Sequence, residues 1–149
     1  MVSQKCQYSL RAIFELARHY GKGPVKIAQI AQAQAIPIRF LEVILSQLKA
    51  AGFVESRRGN EGGYFLTRAP RSLSVAEVMR FVEGPLAPVE CVTEAGTAKC
   101  PLRGSCVFLP MWERAERAVA DVYEKTSFQD LVEEEDRMCR KGYVGSYSI

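Results

Sequence analysis

Residues 36–68, IPIRFLEVILSQLKAAGFVESRRGNEGGYFLTR, leave few folds open. Ile36-Pro37 interrupts whatever precedes it, because proline has no N–H to extend a helix and disfavours helical backbone at the residue before it. Leu41, Ile44, Leu45 and Leu48 then recur at the spacing of one helix face, and Gly52 closes that helix. Phe53 to Ser56 and Tyr64 to Thr67 read as strands, and the glycine-rich stretch from Arg58 to Gly63 between them has to be a hairpin tip. Upstream, Leu10, Ile13, Phe14 and Ala17 mark a first helix from Ser3, stopped by Gly21 and Gly23-Pro24. Pro24 is expected to open a short second helix with Ile27, Ile30 and Ala31, ending near Gln34. Two short helices across a tight turn, followed by a hairpin, predict a winged helix-turn-helix.

Beyond the hairpin, Ser74 and Glu77 form a capping box that opens a helix with Val75, Val78, Met79 and Val82 inward and Gly84-Pro85 at its end. No helical period runs from Gly84 to about Pro110. A long helix starts at Pro110, with Trp112, Ala115, Val119 and Val122 at 3-4-3 spacing, a seam suited to a partner helix. Thr126 or Ser127 caps a last short helix with Phe128, Leu131 and Val132; the acidic run from Glu133 to Asp136 and a loose tail should follow it. The expected fold is therefore mainly α with a small β-hairpin. Its divisions are a winged-helix domain over 1–84, a cysteine-containing loop over 85–109, and a dimerisation helix, short helix and tail over 110–149.

Charge separates the same parts. Residues 1–71 hold eleven Lys and Arg against four Asp and Glu, a balance of +7, while residues 72–149 hold nine against thirteen, a balance of −4. A basic half joined to an acidic half points to a polyanion as partner of the first, with duplex DNA the leading candidate. In a winged helix the helix after the turn enters the major groove and the hairpin tip reaches the minor groove or backbone. Arg39, Glu42, Ser46, Gln47 and Lys49 on that helix, and Arg57, Arg58 and Asn60 in the wing, are the expected contacts. With one histidine and no evident nucleophile-base pair, catalysis is not expected. The start lacks the apolar core of a signal peptide, and no apolar run is long enough to cross a bilayer, so the expected place is the cytoplasm.

Three of the five cysteines, Cys91, Cys100 and Cys106, fall within sixteen residues at the spacing C-x8-C-x5-C. In a reducing compartment such a cluster points to metal or redox chemistry rather than to structural disulfides. Structural zinc usually takes a close cysteine pair and four ligands, which this loop does not offer. An iron-sulfur cluster is larger and is also held by thiolates, so wider loops can span it. Gly96, Pro101 and Gly104 supply turns that could gather the sulfurs, with Leu102, Val107 and Phe108 able to shield them. The alternatives are a thiol switch pairing Cys91 with Cys100 or Cys106, small-ligand sensing without a cluster, an iron-sulfur electron carrier, and simple burial of the thiols. Cys6 and Cys139 look like bystanders.

KCQYSLRA, the helix from Pro37 with FLE inside it, the wing RRGNEGGYFL, the capped SVAEVMRFVEG and three loop cysteines ahead of a long helix together resemble one family. It is the IscR/NsrR/RirA-type family of bacterial winged-helix transcription regulators with an iron-sulfur loop, and the resemblance runs from about Gln4 to Val132. It implies a homodimer held by the helix from Pro110. It also implies iron ligation by Cys91, Cys100 and Cys106 in a 4Fe-4S or 2Fe-2S cluster, and repression at a palindromic operator through two recognition helices. The chain departs from the family pattern in two places. Leu109 stands where one branch has a ligating histidine, and Gln7 where another has an acidic residue. The fourth ligand is therefore open among Cys6 across the dimer, the Gln7 region, another side chain and a small molecule, and a histidine-ligated 2Fe-2S site is the least expected.

Overall fold

The computed structural model describes residues 1–93, 100–102 and 104–141. Helix α1 (Gln4–Arg18) is capped by the Ser3 hydroxyl, which accepts from the Cys6 N–H, and it buries Cys6, Ala12, Ile13 and Leu16 on one face. Helices α2 (Ile27–Gln34) and α3 (Ile38–Ala50) form the predicted helix-turn-helix. The turn is tight because Ala35 adopts left-handed backbone (φ 52°) and the Ile36 N–H donates to the Ala31 carbonyl. All four residues of the α3 stripe, Leu41, Ile44, Leu45 and Leu48, lie in the core. Each contributes roughly 1.5–3 kcal/mol by leaving water.

Strands β1 (Val54–Arg57) and β2 (Gly63–Leu66) pair antiparallel, Val54 opposite Leu66 and Arg57 opposite Gly63. Each lies one position away from the segment read in the sequence. Pro24 does not open α2. The chain stays extended past it, and Val25 exchanges both backbone hydrogen bonds with Tyr64 at 2.8 Å, adding a bridge to the wing before α2 starts at Ile27. Two glycines are required there by close approach. A Cβ on Gly62 would sit 2.1 Å from the Arg57 carbonyl oxygen, and one on Gly63 (φ 152°) would sit 2.4 Å from the Val25 carbonyl oxygen. Gly63→Ala is expected to destabilise the wing by about 1–3 kcal/mol. Thermal unfolding and DNA affinity should both weaken while helical circular dichroism persists; unchanged values in both would show that Val25 and β2 can part at little cost.

Leu73 is buried, and Ser74 and Glu77 close the expected capping box at the start of α4 (Val75–Glu83), which ends at Gly84 with φ 84°. A 3₁₀ turn, Glu90–Val92, packs on α5 (Leu109–Lys125). Helix α6 (Phe128–Arg140) is longer than the sequence reading allows: Glu133 to Asp136 lie inside it rather than after it. Ser127 and Asp130 form its capping box, and Arg18 of α1 pairs with Glu135 at 2.8 Å, so the acidic run has a structural partner. Phe128 is fully buried in the core where α6 packs on α1, and backbone bonds from Val75 to Thr126 and from Phe128 to Leu73 tie α6 to the start of α4.

Candidate DNA-binding face and cysteine loop

Burial of the Leu41 stripe turns the opposite side of α3 outward, so Arg39, Glu42, Ser46, Gln47 and Lys49 are all exposed. Arg57, Arg58 and Asn60 are exposed in the wing. Two contacts fix wing and helix relative to each other. Lys49 Nζ donates to Ser56 Oγ at 2.6 Å, and the Thr67 hydroxyl donates to the Gly52 carbonyl at 2.7 Å. Lys49 is thus a clasp as well as a surface cation. The Arg57 guanidinium lies 5.5 Å over the Phe65 ring, which limits its reach from the strand. Arg39, Arg57 and Arg58 have no ion-pair partner among the described residues, so their charge is available to a polyanion.

Between α1 and α2 sits a group that pattern reading missed. Glu15 of α1 is almost fully buried; its carboxylate accepts from Gln34 Nε2 at 3.0 Å and from Arg18 Nη1 at 2.7 Å, and His19 Nδ1 lies 3.4 Å away. A buried carboxylate is tolerated only with such partners. The lone histidine therefore belongs to the joint between α1 and α2. The sequence signal was Arg18 and His19 three and four residues after an acid placed between Phe14 and Leu16.

Cys91 lies in the Glu90–Val92 turn, Cys106 just ahead of α5, and Cys100 between them; all three are free and partly exposed. Gly104 takes φ 92°, as its turn requires, whereas Gly96 lies outside the described residues. The expected shield does not form: Leu102, Val107 and Phe108 are themselves exposed, Val107 by 82%. No three His, Cys, Asp or Glu side chains come together as a metal-holding group among the described residues. The donors suit a thiophilic metal, but their sulfurs are not gathered. Cys6, far from isolated, is 0% exposed, and burial with the adjoining Glu83 carboxylate pushes its thiol up to about 11. Gln7 is exposed and its amide donates to the Val2 carbonyl. Cys139 is exposed in the last turn of α6.

Helix α5 packs on α4, with Tyr123 against the core and Ala120 buried, and leaves Met111, Val119 and Val122 exposed, Val122 by 60%. Of the expected seam, Trp112 and Ala115 are half-buried. No helix among the described residues is long and apolar enough to cross a membrane.

The model of the Rrf2 family, described as iron-dependent transcriptional regulators, matches residues 2–134. This chain belongs to the Rrf2 family. It is 35% identical over 130 residues to the HTH-type transcriptional regulator CymR of Bacillus subtilis, covering 87% of this chain and 88% of that one. Among solved structures it is similar to CymR, the global cysteine regulator of B. subtilis (TM-score 0.74, 34% identity, 90% of this chain and 97% of that one). It is also similar to IscR of T. potens (TM-score 0.73, 31% identity, 91% and 88%). As an Rrf2 protein the chain is a winged-helix, DNA-binding transcription regulator and not an enzyme.

Proposed function

We propose that this Rrf2 protein is a homodimeric cytoplasmic repressor that grips a palindromic operator and reads its signal through Cys91, Cys100 and Cys106. The observation that carries the reading is three free, partly exposed thiols on the segment leading into α5, whose outer face is apolar and uncovered. Two copies joined along Met111, Val119 and Val122 would present two α3 helices to half-sites about one duplex turn, roughly 34 Å, apart. Arg39, Glu42, Ser46, Gln47 and Lys49 would face the major groove, and Arg57, Arg58 and Asn60 the neighbouring backbone or minor groove.

Cys91, Cys100 and Cys106 are the residues that would hold an iron-sulfur cluster, of 4Fe-4S or 2Fe-2S type, which when bound supplies iron responsive to iron supply, redox state or nitric oxide. Gathering the three sulfurs would draw the Glu90–Val92 turn towards the start of α5, since Cys91 lies in that turn and Cys106 just ahead of the helix. A shift at the dimer helix changes the separation of the two recognition helices, and affinity for a two-site operator changes with it. Cys6, buried against Glu83, is poorly placed to be the fourth ligand, and the Gln7 region, another side chain or a small molecule stay open for that role.

A second reading keeps DNA binding and replaces the cluster by thiol chemistry between loop cysteines. Likeness to CymR, a cysteine regulator, favours it. Oxygen-free purification followed by visible absorption, with iron and sulfide analysis, decides between them. The cluster reading expects colour with stoichiometric iron and sulfide in the wild type, and complete loss of both in Cys106→Ala. A colourless protein that stays so after reconstitution, yet changes operator affinity on thiol oxidation, would establish the second reading and overturn the first.

A further inference from the structure

Helix α3 exposes three large apolar side chains, Ile38, Phe40 and Val43. Two have local reasons. Ile38 is the first residue of the helix, and Phe40 lies against Tyr8 of α1 with ring centroids 6.2 Å apart, a pair flanked by Arg11 at 4.9 Å over the Tyr8 ring. Val43 has none: it is 55% exposed and belongs neither to the core nor to the side chains packed on it. Opposite the buried Leu41, Ile44, Leu45 and Leu48, the outermost line of α3 runs Arg39, Val43, Ser46, Ala50 at 4-3-4 spacing. Val43 therefore stands at the centre of the recognition face, one turn after Arg39 and one before Ser46 and Gln47, in a part of the surface rich in cations and hydrogen-bonding groups.

We propose that Val43 is a specificity-determining residue that reads the C5-methyl of a thymine in each half-site. The reading rests on the placement of α3 in the major groove given above. In that groove every base edge offers donors or acceptors, and the thymine methyl is the apolar group that distinguishes one base pair from the others. A valine facing the groove cannot replace the water it strips from a donor or acceptor, so a polar base edge there loses hydrogen bonds. Against a methyl group the same side chain buries apolar surface on both partners. Val43 thus selects thymine both by attraction and by disfavouring the other bases, while Arg39 on the same line supplies charge that carries no base preference when it contacts phosphate.

Selection from a random duplex library with the full-length protein, purified without oxygen and also metal-free, gives a preferred sequence. That duplex is then remade with deoxyuridine for thymine at each position in turn, removing one methyl at a time. For the wild type, one substitution per half-site is expected to weaken binding by about 4-fold, the scale of one buried methylene-sized group. Val43→Ala should bind the parent duplex more weakly and lose that sensitivity, with the salt dependence of binding unchanged because no phosphate contact is removed. Uridine substitution that is neutral throughout, or that costs Val43→Ala as much as the wild type, would overturn the inference while leaving the placement of α3 intact. Failure to enrich any sequence would overturn both.

Discussion

Phe128→Ala is expected to cost about 3–5 kcal/mol, the range for emptying a fully buried phenylalanine site. Domains of this size are stable by only about 5–15 kcal/mol, so the variant should unfold at markedly lower temperature or denaturant concentration. The reason lies in where the ring sits. It opens α6, is 0% exposed in the core, and its own N–H donates to the Leu73 carbonyl at 3.0 Å. The cavity would form where the last helix meets the DNA-binding half, and the Arg18–Glu135 pair would be left to hold α6 against α1. Equilibrium denaturation monitored by circular dichroism measures it. A loss below about 1 kcal/mol would mean that α6 docks without Phe128, and that the core ends at α4.

Cys6 should be the least reactive thiol in the folded protein. Burial raises its pKa most and the Glu83 carboxylate raises it further, from the ordinary 9.0 to about 11, so its thiolate fraction near neutral pH falls about 100-fold before steric protection is counted. Glu83 is held as the charged form by Ser3, whose N–H donates to its carboxylate at 2.8 Å. Alkylation followed by mass mapping should modify Cys106 and Cys139, both solvent-accessible, long before Cys6. The same shift makes a pH statement. A folded-state pKa above the unfolded value favours folding below about pH 9, where both states are protonated. That advantage is lost as pH rises towards about 11, because the unfolded thiol ionises first. The loss amounts to about 2–3 kcal/mol, and Cys6→Ala should remove this part of the alkaline destabilisation. Labelling of Cys6 as fast as Cys139 would show that α1 and α4 open readily at that point.

Much of the molecule was legible because its signals are local. The α3 stripe, the Ser74 and Glu77 box and the glycine-rich tip each specify an element within a few residues, and each stands where expected, with strand ends displaced by one. Pro24 was misread because its neighbour Val25 pairs with Tyr64, a partner distant in sequence that no periodicity reveals. The sequence places the acidic run after the last helix, yet a helix with Leu131 and Val132 on one side and Glu135 facing Arg18 uses it. The cysteine spacing was equally visible, while the expected shield of Leu102, Val107 and Phe108 is exposed in the single chain.

Chain order alone determined that a winged helix precedes a cysteine loop and a long helix, since helix period, proline breaks and glycine turns act over one or two turns of chain. Only the tertiary structure decided which polar and sulfur groups leave water. Packing of α1 between α2, α4 and α6 buries Glu15 and Cys6, while Val43 stays exposed. Burial depends on which surfaces meet, and a residue's nearest neighbours in sequence do not fix that.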